Sequence, residues 1–114
     1  MARGADRDEK RYEELKRSVL GVGPFRRGSV VRRFMPCGKP GCRCQADPPR
    51  LHGPYYQWTR KLAGKTVTVR LTEQEAELLG EWIANGRRLD QLLADMDQVC
   101  LRLTERRLRR PRKS

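Results

Sequence analysis

Three of the four cysteines and the single histidine of this chain fall within 16 consecutive residues. Their spacing is C-x4-C-x-C-x7-H, from Cys37 through Cys42 and Cys44 to His52. Thiolates and imidazoles are the usual ligands of structural zinc, which takes four of them in a tetrahedron. Prolines and glycines in the same stretch disfavour regular helix or strand and favour tight turns. The sequence therefore predicts one structural zinc ion per chain in this turn-rich segment, the knuckle (residues 37–56).

Other interpretations of these four residues stay open. The spacing is not that of the common zinc knuckle or of the two-Cys-two-His finger, and Cys42 and Cys44 can share a metal only if the backbone turns between them. The thiols could instead be free or partly buried, or joined in a disulfide. A Cys44–His52 nucleophile pair is the enzymatic alternative. It is disfavoured, because three cysteines and one histidine leave zinc no open position for water and Asp47 is the only carboxylate in residues 37–71.

The net charge of +12 is unevenly distributed along the chain. Residues 37–71 hold seven basic residues and one acidic residue, whereas residues 72–104 hold three basic and seven acidic residues. Residues 1–36 and 105–114 are both basic. A polyanion is the expected partner of such basic regions, and nucleic acid is the commonest one. The alternative is that the positive charge only keeps the protein soluble.

The sequence predicts an α+β fold and divides the chain into four regions. Residues 1–24 hold a basic amphipathic helix with an apolar stripe of Tyr12, Leu15 and Val19. Residues 25–71 hold a strand over 29–35, the knuckle, and two strands over 55–62 and 65–71 joined by the turn Ala63-Gly64. Residues 72–105 form a long helix that opens with the capping box T-E-Q-E, and residues 106–114 form a basic disordered tail. The zinc-knuckle and hairpin module thus lies between two helices, which we expect to pack as an antiparallel pair.

A heptad pattern runs along the long helix. Its apolar positions advance by alternating steps of three and four residues, through Leu79, Trp82, Gly86, Leu89, Leu93, Met96, Cys100 and Leu103. A single helix cannot bury such a stripe, and the stripe of the N-terminal helix covers only about half of it. The remaining half of the 79–103 stripe predicts a homodimer or a larger protein partner. An adaptor that recruits a partner is therefore the alternative function.

The basic and aromatic residues around the knuckle and hairpin are the candidate nucleic-acid contacts. Basic side chains would surround phosphates, while rings could stack on bases. The tail would add affinity that does not depend on sequence. The sequence does not choose between DNA and RNA or between single and double strands. The candidates are Lys39, Arg43, Arg50, Tyr55, Trp58, Arg60, Lys61, Lys65, Arg70, Arg106, Arg107, Arg109 and Arg110.

Several motifs together resemble a family of short bacterial and archaeal proteins known only as a domain of unknown function. The shared features here are Arg27-Gly28-Ser29, the run from Cys37 to Cys44, the run from His52 to Tyr56, and Gly64-Lys65-Thr66. The resemblance spans about Arg27 to Leu93. It implies an association with transposase or recombinase genes, but it implies no biochemical activity.

The chain contains no apolar segment long enough to span a membrane, and it begins without an apolar signal segment. We therefore expect a cytoplasmic protein whose cysteines are kept reduced.

Overall fold

The computed structural model describes residues 2–108. It contains an N-terminal helix, a three-stranded antiparallel sheet with the Cys/His cluster, and a long C-terminal helix. The predicted α+β class is therefore confirmed. Arg109 and Arg110 lie outside the described residues. The elements are α1 (Ala2–Leu20), β1 (Ser29–Met35), a 3-10 turn (Arg43–Gln45), β2 (His52–Leu62), β3 (Lys65–Leu71) and α2 (Glu73–Leu108).

The sheet has the order β1-β2-β3, with β2 paired antiparallel to both neighbours. The β2–β3 hairpin turns at Ala63 and Gly64, whose φ angles of 52° and 80° are both in the left-handed region that a tight two-residue turn requires. This confirms the predicted hairpin. Strand β2 begins at His52, three residues before the predicted start at Tyr55, and so reaches into the knuckle.

The capping box at the start of α2 is formed as predicted. The backbone N–H of Glu75 donates to Thr72 Oγ1 at 3.1 Å, and the backbone N–H of Thr72 donates to Glu75 Oε1 at 2.8 Å. The two bonds satisfy donors that the first helical turn would otherwise leave without partners. The helix therefore starts directly after β3.

The chain divides into two compact units. The helical unit consists of the residues up to Pro24 together with those from Asn85 onward, and the sheet unit is Phe25–Ala84. The boundary falls inside α2, so residues 73–84 of this helix belong to the sheet unit. The regions expected from the sequence instead placed a boundary between residues 71 and 72.

The helical unit is an antiparallel pair around a small apolar core. Leu15 of α1 is buried with Leu92 and Val99 of α2, and Tyr12 and Val19 pack against this cluster. Along the pair, Asp8 near the start of α1 contacts Arg102 and Arg106 near the end of α2. Beyond the end of α1, the side-chain amide of Asn85 donates to the carbonyl of Pro24 at 2.8 Å. These contacts confirm the expected antiparallel packing and the expected stripe on α1.

The predicted heptad stripe of α2 is only partly buried: Gly86 is buried, and Met96 and Leu103 pack against the helical core. Leu93, a predicted stripe position, is 48 % exposed, whereas its neighbour Leu92 is 8 % exposed. Ile83 is buried in the sheet unit and Leu92 in the helical unit. These two residues are nine positions apart, which is not a multiple of the heptad repeat. The prediction that Leu93 is buried is therefore wrong, because the helix packs against different elements along its length.

A buried carboxylate links the two helices. Asp8 is 6 % exposed and accepts hydrogen bonds from Arg106 and from Arg102, the latter at 3.2 Å. These bonds, first that from Arg106, hold the pKa of Asp8 below its usual value although desolvation opposes them. Arg107 lies 4.0 Å from Glu9. The helix continues through Leu108, so Arg106 and Arg107 are helical residues with acidic partners rather than part of a disordered tail.

Within residues 2–108, neither α1 nor α2 combines the length and the apolar composition that crossing a membrane requires.

We expect Leu92→Ala and Leu93→Ala to differ sharply in cost, although the residues are adjacent and chemically identical. Leu92→Ala opens a cavity in the helical core and should lower the free energy of unfolding by about 2–5 kcal/mol. Leu93→Ala should cost at most about 1 kcal/mol, because half of that side chain is already exposed. Urea unfolding of both variants measures the difference, and equal costs would contradict this packing.

The lowered pKa of Asp8 predicts an acid-sensitive helix pair. The unfolded chain binds a proton at this residue more readily than the folded chain does. The stabilisation is thus complete above the unfolded value of about 4 and is lost as pH falls through the lower folded value. Between pH 6 and pH 3 the wild type should lose more thermal stability than Asp8→Asn, which lacks this titration. Equal losses would show that the Asp8 pair contributes nothing to the pH dependence.

Candidate metal centre

The strand ladder places the histidine of the cluster beside the segment that leads to the first cysteine. His52 is the first residue of β2 and pairs with Met35, the last residue of β1. The register shifts between Arg33 and Met35, which marks an irregularity at Phe34. Cys37 follows only two residues after Met35. Because the ladder fixes both strand ends, His52 and Cys37 are held close together although 15 positions separate them.

A 3-10 turn brings the other two cysteines into the cluster. Cys42 precedes the turn and Cys44 is its middle residue. The backbone N–H of Gln45 donates to the carbonyl of Cys42 at 2.8 Å, and that of Ala46 donates to the carbonyl of Arg43 at 3.1 Å. These bonds curl the backbone between the two cysteines. The structure thereby supplies the local turn that their one-residue separation requires.

The four candidate ligand atoms all lie within 4.8 Å of one another. Cys37 Sγ is 3.5 Å from Cys44 Sγ, and Cys42 Sγ is 3.0 Å from His52 Nε2. A tetrahedral ion with metal–sulfur bonds of about 2.3 Å and metal–nitrogen bonds of about 2.0 Å needs ligand atoms about 3.5–3.8 Å apart. The cluster is therefore close to the size that one metal ion requires, and shifts of about 1 Å or less would complete the fit.

Hydrogen-bond donors surround the sulfur of Cys44, the most buried of the four residues at 4 % exposure. The backbone N–H of Cys37 donates to Cys44 Sγ at 3.2 Å. The side-chain amide of Gln45 lies 3.8 Å from the same sulfur and donates to the carbonyl of Cys37 at 3.0 Å. Donors aimed at sulfur stabilise the thiolate, the form that binds a metal. The arrangement thus supports ligation as well as bringing the ligands together.

The electrostatics of the cluster favour one thiolate in particular. A hydrogen bond from the backbone of Cys44, followed by the contact with His52, lowers the pKa of the Cys42 thiol to about 6. The pKa of Cys37 is raised: a hydrogen bond from the backbone of Lys39 lowers it, but the thiols of Cys44 and Cys42 and desolvation outweigh that effect. Neighbouring thiols compete for protons in this way until a bound cation displaces the protons.

All four cysteines of the chain are free thiols in the structure, and none forms a disulfide. Cys100 lies on α2 in the helical unit and does not belong to the cluster. Three thiols and one imidazole that meet at one point constitute a full set of four ligands. Such a set suits a structural ion rather than a catalytic one, which keeps a position open for substrate or water.

The predicted basic contacts of the hairpin are divided between two sheet faces. Residues paired across an antiparallel ladder share a face of the sheet. One face therefore holds the pairs Arg33–Tyr55, Gln57–Arg70, Thr59–Thr68 and Lys61–Thr66. We call this surface, with Ser29 and Val31, the polar face. The opposite face carries mostly apolar side chains, among them Trp58, together with the three cations Arg32, Arg60 and Lys65. The knuckle residues Lys39, Arg43 and Arg50 are all exposed.

The predicted aromatic contacts are less accessible than the sequence implies. Tyr55 and Trp58 are half-buried, and guanidinium groups lie over both rings. Arg70 is 4.4 Å from the centroid of Tyr55 and Arg60 is 4.0 Å from that of Trp58. The exposed rings in the sheet unit are instead Phe25 and Phe34, at 42 % and 49 %. Phe34 occupies the strand irregularity next to the cluster, a feature that the sequence pattern does not reveal.

Replacing Cys42 by serine should release the metal and destabilise the sheet unit, because one of four ligands is removed. The matched control is Cys100→Ser, which makes the same chemical change outside the cluster. Metal analysis of the untagged protein should find one ion per chain in the wild type and in Cys100→Ser, but much less than one in Cys42→Ser. A chelator should lower the melting temperature of the first two proteins only. Metal-free wild type with an unchanged melting temperature would contradict the assignment.

Comparison with known proteins identifies the family but not an activity. No curated protein and no solved structure matches the chain. The match to a family begins within α1 and ends within α2, so it covers the whole Cys/His cluster and all three strands. It starts earlier than the expected resemblance from Arg27 and thus includes most of the first helix. Over residues 5–80, two thirds of its length, the chain belongs to the family described as domain of unknown function DUF6788.

Proposed function

We propose that this protein binds nucleic acid through its sheet unit, with a structural zinc ion holding the knuckle in place. The zinc assignment follows from ligand chemistry. Three thiolates and an imidazole form a set that soft or borderline metals prefer, whereas Mg²⁺ and Ca²⁺ prefer oxygen ligands. Free thiols that serve as ligands also suit a reducing compartment such as the cytoplasm.

The observation that carries the nucleic-acid proposal is the composition of the sheet. Strands β1–β3 contain six arginines and lysines and no aspartate or glutamate. None of the residues in these three strands is buried. The sheet is therefore a positively charged and accessible element, with its neutral polar side chains concentrated on the polar face. A polyanion with a repeating charge is the partner that such a surface attracts.

The polar face has the chemistry that a nucleic-acid backbone requires. Arg33, Lys61 and Arg70 provide charge on all three strands, and Gln57 and several threonines provide neutral donors. Arg33 donates to Gln57 Oε1 at 3.4 Å, and the hydroxyls of Thr59 and Thr68 are 3.2 Å apart. These contacts order the side chains across the strands before a ligand arrives. Pre-ordered side chains lose less conformational entropy on binding than mobile ones do.

The knuckle adds three further cations, Lys39, Arg43 and Arg50. Arg106 and Arg107, which the sequence assigns to the tail, contribute less to the positive surface, because they have acidic partners on α1. The surface proposed for binding is therefore the polar face with the knuckle. The implied association with transposase or recombinase genes makes DNA the first ligand to test, with RNA as the comparison and an accessory role in recombination as the proposed context.

Removing two cations from the polar face should weaken binding far more than removing two elsewhere. Lys61→Gln combined with Arg70→Gln should make the dependence of log K on log salt shallower by about two, roughly one for each phosphate that the variant no longer neutralises. The matched control is Lys10→Gln with Lys16→Gln, which removes the same charge from exposed positions of α1. Anisotropy titrations with labelled single- and double-stranded DNA and with RNA, over a series of salt concentrations, measure both. Equal effects would show that only net charge matters.

A second candidate function is an adaptor that dimerises or recruits a partner through α2. It is favoured by the three leucines that are about half exposed in the helical-unit part of α2, namely Leu93, Leu101 and Leu108. Sedimentation of the purified protein separates the two candidates. A dimer that Leu93→Glu with Leu101→Glu dissociates would support the adaptor, whereas a monomer that binds nucleic acid would support the first proposal.

A further inference from the structure

A cavity of about 670 Å³ lies within the sheet unit, where the segment before β1 meets the end of β2. Four of its nine lining residues are basic: Arg26, Arg27, Arg60 and Lys61. None of the nine is an aspartate or glutamate. Positive groups that line a concave surface strengthen one another's field, because the protein wall displaces water of high dielectric constant. The cavity is therefore suited to an anion.

The guanidinium of Arg60 is held in place but incompletely satisfied. It lies 4.0 Å from the centroid of the Trp58 ring, and that ring is itself fixed by a hydrogen bond from its Nε1 to the carbonyl of Arg27 at 3.1 Å. Among the described residues, Nη1 of Arg60 is buried without a hydrogen-bond partner. A buried charged donor without a partner carries a desolvation penalty that an anionic acceptor would remove.

Gly28 keeps the wall of the cavity tightly packed. Its φ of +116° is in the region that favours glycine. A Cβ atom at this position would be only 2.8 Å from Trp58 Nε1 and 3.1 Å from Arg60 Cβ. It would be closer still to the carbonyl oxygen of Thr59, so a side chain there would push the backbone away from the Trp58 ring on which the Arg60 guanidinium lies. Glycine at position 28 thus lets the backbone pack closely against Trp58 and the base of the Arg60 side chain.

We propose that this cavity binds a phosphate group of a nucleic-acid strand that lies along the polar face. Three residues, Thr59, Lys61 and Thr66, belong to both the polar face and the cavity wall. Arg60 itself lies on the opposite face, and β2 has no β1 partner beyond Thr59. A strand that follows the polar face therefore reaches Arg60 where it passes round this unpaired edge of β2. Arg60 would donate to the phosphate oxygens, and the hydroxyl of Thr66 would add a neutral donor. This inference rests on the proposed function and specifies where one phosphate is bound.

The first test uses inorganic phosphate as the probe on the metal-loaded protein. Phosphate titrated at constant ionic strength, with chloride as the reference, should produce saturable NMR shifts at Gly28, Thr66 and the side-chain Nε–H of Arg60. Shifts that do not saturate, or that spread evenly over the basic residues, would contradict a built site. The titration reports on the cavity whether or not the protein binds nucleic acid.

The second test uses labelled DNA and three variants. Arg60→Gln should lose about tenfold or more in affinity, as expected when a charge-assisted hydrogen bond is removed. The matched control Lys65→Gln removes the same charge from an exposed residue outside the cavity and should lose less than about threefold. Thr66→Val leaves the Trp58 contacts untouched and should still weaken binding, which guards against a folding defect in Arg60→Gln.

The outcomes separate the two proposals. If the wild type binds DNA or RNA but Arg60→Gln and Thr66→Val behave like Lys65→Gln, the cavity proposal is wrong and the proposed function stands. If the wild type binds neither nucleic acid, the proposed function is wrong. A nucleic-acid strand then cannot be the source of the phosphate, even if inorganic phosphate still binds in the cavity.

Discussion

The sheet unit depends on four donor atoms meeting at one point. Only Cys44, Ala76 and Ile83 are buried within residues 25–84, and none of them lies in a strand. An apolar core of this size cannot offset the conformational entropy of about 60 ordered residues. An ion bound by the four candidate ligands would add its binding free energy to the stability of this unit, because such a site is absent from the unfolded chain. The hairpin, the strand irregularity and the 3-10 turn are thus the elements that bring the four candidate ligands together.

Arginine compensates in a second way for the missing core. Guanidinium groups cover the rings of Trp58, Tyr55 and Phe34 at distances of 4.0–5.2 Å from their centroids. Each such contact shields aromatic surface while the charged group keeps access to water or to an anion. The same residues can therefore stabilise the sheet and attract phosphate. Substitution of any one of these arginines would affect both sheet stability and phosphate attraction. Controls that remove the same charge but spare the rings are therefore needed to separate the two effects.

The features that the sequence predicted correctly are those set by neighbouring residues. The turn at Ala63-Gly64 and the capping box of Thr72 and Glu75 need only local chemistry, and the Cys/His spacing sits within one short segment. The errors concern long-range packing. A continuous heptad predicts that Leu93 is buried, yet the helix changes packing partners between Ile83 and Leu92. Arg106 was assigned to a tail because its partner Asp8 lies 98 positions earlier in the chain.

The place of His52 in the ladder has one more consequence. Since this candidate ligand is also the β2 residue opposite Met35, an ion bound there would be attached directly to the last β1–β2 pair. An ion that binds only the folded form shifts the folding equilibrium by mass action, so the ordered fraction rises with its free concentration relative to the dissociation constant. The abundance of ordered sheet would then track the supply of the ion in the surroundings of the protein, without any dedicated sensor domain.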